Sequence, residues 1–228
     1  MTYSDYRRIA RENLAGNWGQ SILVAFVAAL FGALLTGSSF SMDIDASVLS
    51  KLPMFIQRYV ALMAKIAGVL GIVRFVAGGT VQLGYTQYLL KQHNKAAFDI
   101  KDLFSEFHRF SQGFLQSFLR ELYVFLWCLL FIIPGLVKIY SYAMTPFIMA
   151  ENPDMTANEA ITASRELMDG HKGELFCLEL TFFGWMLLNV LTLGLGSLAL
   201  NPYINATRAA FYKDITAPKN PNPDFYAN

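Results

Sequence analysis

Long, nearly unbroken apolar runs, separated by short stretches that hold most of the charge, limit this chain more than any other feature. Water cannot solvate apolar surface on that scale. A bilayer can, but it demands that every backbone amide be satisfied internally, which makes helices the default. The other spanning solution, a β-barrel, would show apolar–polar alternation in segments of roughly ten residues. These runs do not alternate. Only 15% of the 228 residues are charged and 54% are hydrophobic, whereas soluble domains carry about a quarter charged residues. The expected fold is therefore all-α, a polytopic transmembrane helical bundle.

A helix crosses hydrocarbon with roughly 20 mostly apolar residues. Candidate spans fall at 18–37, 62–90, 114–133, 136–150, 175–193 and 197–212, about six in all. Lys65 and Arg74 interrupt the second, and the third ends at Pro134-Gly135. The fourth is short and carries Pro146, the fifth ends at the glycine pair Gly194 and Gly196, and the sixth carries Pro202. The fourth and sixth rest on these breakers and on topology rather than on length. The first run follows Arg7, Arg8 and Arg11. It is longer than a signal-peptide core and more runs follow it, so it reads as a retained span.

Amphipathic stretches lie between the runs. Tyr6, Ile9, Ala10 and Leu14 share one helical face behind a Ser4 N-cap. Leu103, Phe104, Phe107 and Phe110 repeat the spacing, with Lys101, Glu106 and Arg109 opposite. Thr156 and Glu159 form a capping box, opening a helix in which Ala160, Ala163, Leu167 and Met168 share a face. Gly16, Gly113 and Gly170 are expected to end these helices. The pattern suggests three units, at 4–90, 100–150 and 156–213, each an interfacial helix followed by a membrane hairpin. They form a single domain over 1–215, with a polar tail at 216–228. Residues 11–16 align over 165–170, and Pro146-Phe147-Ile148 echoes Pro202-Tyr203-Ile204. Chance similarity among apolar sequences is the alternative. Lys and Arg fall mostly on one side of a six-span topology, which places both termini in the cytoplasm.

A net charge of +1 gives no basic signature for nucleic acid. His93, His108 and His171 are scattered, so no metal site is expected. Cys128 and Cys177 lie in apolar segments and read as unpaired thiols. No phosphate loop or nucleophile elbow is found, so neither enzyme activity nor a cofactor is expected. The expected partners are the lipid bilayer and a membrane-protein partner or a second copy of the chain. Charged residues at membrane depth are costly and therefore candidates for function. They are Arg74, Glu121, Glu179 and Arg208, the last three in one layer. A polar pathway or binding site is one reading. Structural ion pairs, or side chains snorkelling to the interface, are the other.

An ordered set of residues in the second half carries a family resemblance. It comprises Pro134-Gly135-Leu136, Tyr140 to Met144 with Tyr142 at its centre, Pro146, Asn152-Pro153, Ser164, Gly170-His171-Lys172, Trp185 and Pro202-Tyr203. It resembles a family of bacterial integral membrane proteins catalogued as domain of unknown function 975. A fainter likeness is to the membrane domain attached to some glycerophosphodiester phosphodiesterases. Gly173 and Glu179 depart from the family pattern. The resemblance implies a helical fold in a bacterial cytoplasmic (inner) membrane and brings no assigned activity. The expected function is that of a permease-like, transport-related or lipid-interacting membrane protein. The alternative is an accessory or scaffold subunit of a membrane complex.

Overall fold

The computed structural model describes residues 2–30, 53–185, 189 and 196–217. The distal part of the first predicted span, the polar stretch at 38–51, the turn at Gly194 and most of the tail lie outside the described residues, as does much of the distal half of the fifth span. The described elements are helical. They are α1 (Tyr3–Leu14), α2 (Trp18–Leu30), α3 (Met54–His93), a 3-10 helix (Ile100–Arg109) and α4 (Phe110–Leu130). Then come α5 (Ile132–Ser141), α6 (Thr145–Glu151), α7 (Ala157–Leu167), α8 (Lys172–Leu180) and α9 (Ser197–Thr216).

The first amphipathic stretch forms α1, with Tyr6, Ala10 and Leu14 buried. Its cap is Thr2 rather than Ser4: Asp5 Oδ2 accepts a hydrogen bond from Thr2 N at 2.9 Å. Gly16, at φ +81°, turns the chain into α2, and Gly170, at φ +80°, makes the corresponding turn into α8. A left-handed residue without a Cβ strain penalty suits both stops. The Thr156 box is present, with Thr156 N donating to Glu159 Oε2 at 2.8 Å.

The middle amphipathic stretch departs from expectation in two ways. It is a 3-10 helix, whose side chains eclipse every third residue. Leu103 and Glu106 face inward, and Phe104, Phe107 and Phe110 are exposed. Glu106 turns inward because Arg109 Nη1 donates to its Oε2 at 3.1 Å, which neutralises the pair. Gly113 does not end a helix. It lies inside α4, where a Cβ would stand 2.7 Å from Thr80 Oγ1 on α3. Its smallness serves close helix crossing.

The second predicted span is part of α3, 40 residues long. At 1.5 Å per residue it is about twice as long as hydrocarbon requires. Its C-terminal portion is the central pillar, with Val81, Leu83, Tyr85, Tyr88 and Leu89 all buried. Gly84 lets the 3-10 helix lie directly on it: a Cβ there would sit 2.1 Å from the Leu103 carbonyl oxygen. Helix α9 packs beside α1 through the edge-to-face pair Tyr6–Phe211 at 5.6 Å. It meets α6 through the stacked pair Phe147–Tyr212 at 5.3 Å.

The breakers also act differently than expected. Helix α4 stops at Leu130, and the extended residue Phe131 forms the turn. Pro134 sits in the first turn of α5, where a missing N–H costs nothing. The stretch 136–150, read as one span, is divided between α5 and α6. Pro146 starts α6, for the same reason.

Candidate functional site

Close helix approach builds one corner of the molecule. A Cβ at Gly135 would stand 2.3 Å from Cys128 Sγ, so α5 folds back tightly on α4. Lys138 then covers the Trp127 ring, with Nζ 4.6 Å from its centroid. Helix α7 anchors both: Ser164 Oγ donates to the Ser141 carbonyl at 2.9 Å, and Tyr123 Oη donates to Asn158 Oδ1 at 3.2 Å. Helix α8 joins through an edge-to-face contact of Tyr140 with Phe176 at 5.8 Å.

This packing brings charges from α4, α8 and α9 together beside Tyr140 of α5. Arg208 on α9 donates from Nε and Nη2 to Glu179 Oε1 on α8, at 2.9 and 2.6 Å. Tyr140 Oη on α5 donates to the other carboxylate oxygen, Glu179 Oε2, at 3.2 Å. Both members of the pair are largely buried. Charge-assisted hydrogen bonds of this kind are short and directional, so they fix how α8 and α9 meet. The pair borders a cavity of roughly 450 Å³, whose α4 wall carries Arg120 and Glu121. Val124, Phe125, Cys128 and Ile139 supply apolar lining.

Of the four sequence candidates, Glu121, Glu179 and Arg208 therefore line one cavity. Arg74 lies on α3, and its side chain is outside the described residues. Sequence reasoning missed Arg120, and had Tyr140 only within the family motif rather than beside the charges. The signal for Arg120 was available: it precedes Glu121 within the same apolar run.

The family-motif residues mostly shape turns and packing. Gly135 permits the hairpin, and Tyr142 is buried on the cavity wall. Asn152 closes α6 by donating from Nδ2 to the Ile148 carbonyl at 2.9 Å. His171 Nδ1 lies 2.8 Å from Glu174 Oε2, and Lys172 Nζ lies 3.3 Å from Asp169 Oδ1. Pro202 and Tyr203 are buried in α9, while Trp185 is exposed. Pro153 and Asn152 border a second, polar cavity of roughly 590 Å³, with Gln87, Lys91 and Glu151.

At the polar end, Tyr6 on α1 donates to Asp214, and burial together with that carboxylate pushes its phenol well above the ordinary value. Burial, and then the nearby Lys213, pull the His93 imidazole below its ordinary value. Among the described residues no group of three or more His, Cys, Asp or Glu side chains could hold a metal. Cys128 and Cys177 are free thiols.

A family model described as protein of unknown function (DUF975) matches residues 1–145 and 134–219. No curated protein and no solved structure matches the chain.

Proposed function

The chain belongs to the DUF975 family, and from that premise we propose an integral membrane protein that takes an amphiphilic ligand into the cavity between α4, α5, α8 and α9. One observation carries the membrane part. The helical stretch Ile100–Leu130 is long and apolar enough to cross a bilayer, yet only 17% of its most apolar segment is buried. Its end and the residues that follow are as bare: Leu129, Phe131 and Ile133 are 75%, 66% and 76% exposed. Exposed apolar surface this continuous marks contact with lipid or another protein. The cavity supports the ligand part, because charged groups and the exposed apolar Phe125 and Ile139 line it together.

The wider arrangement belongs to the same proposal: about six spans in three hairpin units, both termini cytoplasmic, in a bacterial inner membrane. Carbonate extraction of membranes from expressing cells tests it. The protein is expected in the pellet and in detergent micelles. Monodisperse protein in detergent-free buffer would end the reading.

A second reading, an accessory or scaffold subunit, draws on the same exposed face of α4 and α5. It predicts a stoichiometric membrane-protein partner on purification in mild detergent. Monomeric protein that responds to added ligand decides for the first reading.

A further inference from the structure

Four charged side chains border the α4–α5–α8–α9 cavity, and they are not equivalent. Arg208 and Glu179 satisfy each other, with Tyr140 closing the remaining carboxylate oxygen. Arg120 and Glu121 have no hydrogen bond or ion pair among the described residues. They are consecutive on α4, and consecutive helical side chains do not face each other. Arg120 is within electrostatic reach of Glu121 and Arg208, but direct pairing is not made. An uncompensated guanidinium against hydrocarbon is costly. A phosphate entering the cavity would supply the direct partner that the described residues do not.

We infer that this cavity binds the headgroup of a phospholipid carrying a phosphate and a primary ammonium, with the phosphate on Arg120 and the ammonium on Glu121. The inference rests on the membrane reading above and supplies its ligand. The separated opposite charges ask for a zwitterion. A planar guanidinium matches phosphate oxygens in fork geometry. A carboxylate accepts N–H donors, which a primary ammonium has and a quaternary one lacks. The rest of the wall asks for a tail. Val124, Phe125 and Ile139 line the cavity with the charges, and Phe125 and Ile139 are also exposed on the surface. A cavity of roughly 450 Å³ falls at the small end of small-molecule sites. It suits a headgroup with its glycerol end, the acyl chains remaining outside.

The test uses the full chain, delipidated in an uncharged detergent. Its thermal midpoint is measured with added phosphatidylethanolamine, phosphatidylcholine, phosphatidylglycerol or free phosphoethanolamine. Phosphatidylethanolamine is expected to raise the midpoint by several degrees, the size mass action gives for ligand well above its Kd. The other three are expected to do clearly less. Arg120→Gln should abolish the response. Glu121→Gln should erase the preference for phosphatidylethanolamine over phosphatidylglycerol. Arg120→Lys, which keeps the charge, should retain part of the response and replaces Arg120→Gln if that variant does not fold. Equal responses to all lipids, or a preference that survives both glutamine substitutions, would overturn the inference. A response to phosphoethanolamine matching that to the lipid would overturn its lipid part. Protein that resists carbonate extraction but shows no headgroup preference would refute this inference alone and leave the membrane reading standing.

Discussion

The pillar region and the α4–α5 hairpin invert each other. Around the C-terminal part of α3, polar side chains are buried: Gln82, Thr86, Gln92 and Asn205 are each at most 4% exposed. Several are hydrogen-bonded, as where Gln92 Nε2 donates to Ser21 Oγ at 2.9 Å and Ser21 meets Tyr88 Oη at 3.1 Å. Along the hairpin, Phe125, Leu130 and Leu136 are large, apolar and more than half exposed. A water-soluble fold arranges the two kinds the other way. The difference teaches where each region keeps its polar and apolar groups: several polar side chains inside meet one another, while the apolar outside is the kind of surface that the proposed bilayer would cover.

Truncation should separate the two regions most widely. Phe211→Ala in the pillar region removes a fully buried ring and is expected to cost about 3–5 kcal/mol. Phe125→Ala, at a side chain 62% exposed, should cost no more than about 0.5 kcal/mol. Thermal unfolding in detergent compares them, and equal losses would erase the distinction. Next in size, Leu129→Asp on the bare hairpin face should cost up to about 2.5–3.5 kcal/mol of membrane insertion. Reporter-tagged insertion assays read this directly. A neutral result would mean that water already covers that face.

A smaller effect has the opposite sign. Gln116 is fully buried, and both its amide atoms lack a hydrogen-bond partner among the described residues. Gln116→Met should therefore stabilise the fold, by about 1 kcal/mol. A loss in thermal midpoint would instead reveal an ordered partner at that amide.

The smallest effect concerns acid. Hydrogen bonds from Thr156 hold Glu159 below the ordinary carboxylate range, and Thr2 does the same for Asp5. A carboxylate with a depressed folded-state pKa contributes stability that is present above its unfolded pKa. That contribution is lost as pH falls through the folded value. Melting followed downward from neutral pH should show a slight acid loss that Glu159→Gln reduces, and a change near neutrality would implicate His93 instead.

Apolar runs, a low share of charge, the Thr156-x-x-Glu159 box and glycine at two helix ends made the helical class and much of its segmentation legible, because these signals act locally. The four charged candidates were legible as costly residues, but not their grouping. Arg120 and Tyr140 join the group only through packing: Tyr140, a family-motif residue in an apolar segment, meets Glu179, 39 residues further along the chain. The inward turn of Glu106 was equally hidden: its partner Arg109 lies one 3-10 turn away, and an α-helical period assigns both to the outer face.

Residue order alone determined that this polypeptide forms greasy helices joined by short polar breaks, since periodicity and hydropathy are properties of neighbours along the chain. Only the tertiary structure decided that Phe131 rather than Pro134-Gly135 makes the α4–α5 turn, that Gly113 serves a crossing rather than a stop, and that Arg208 meets Glu179. The last two depend on how closely helices distant in sequence approach, and the first on how tightly α5 folds back on α4 where Gly135 meets Cys128.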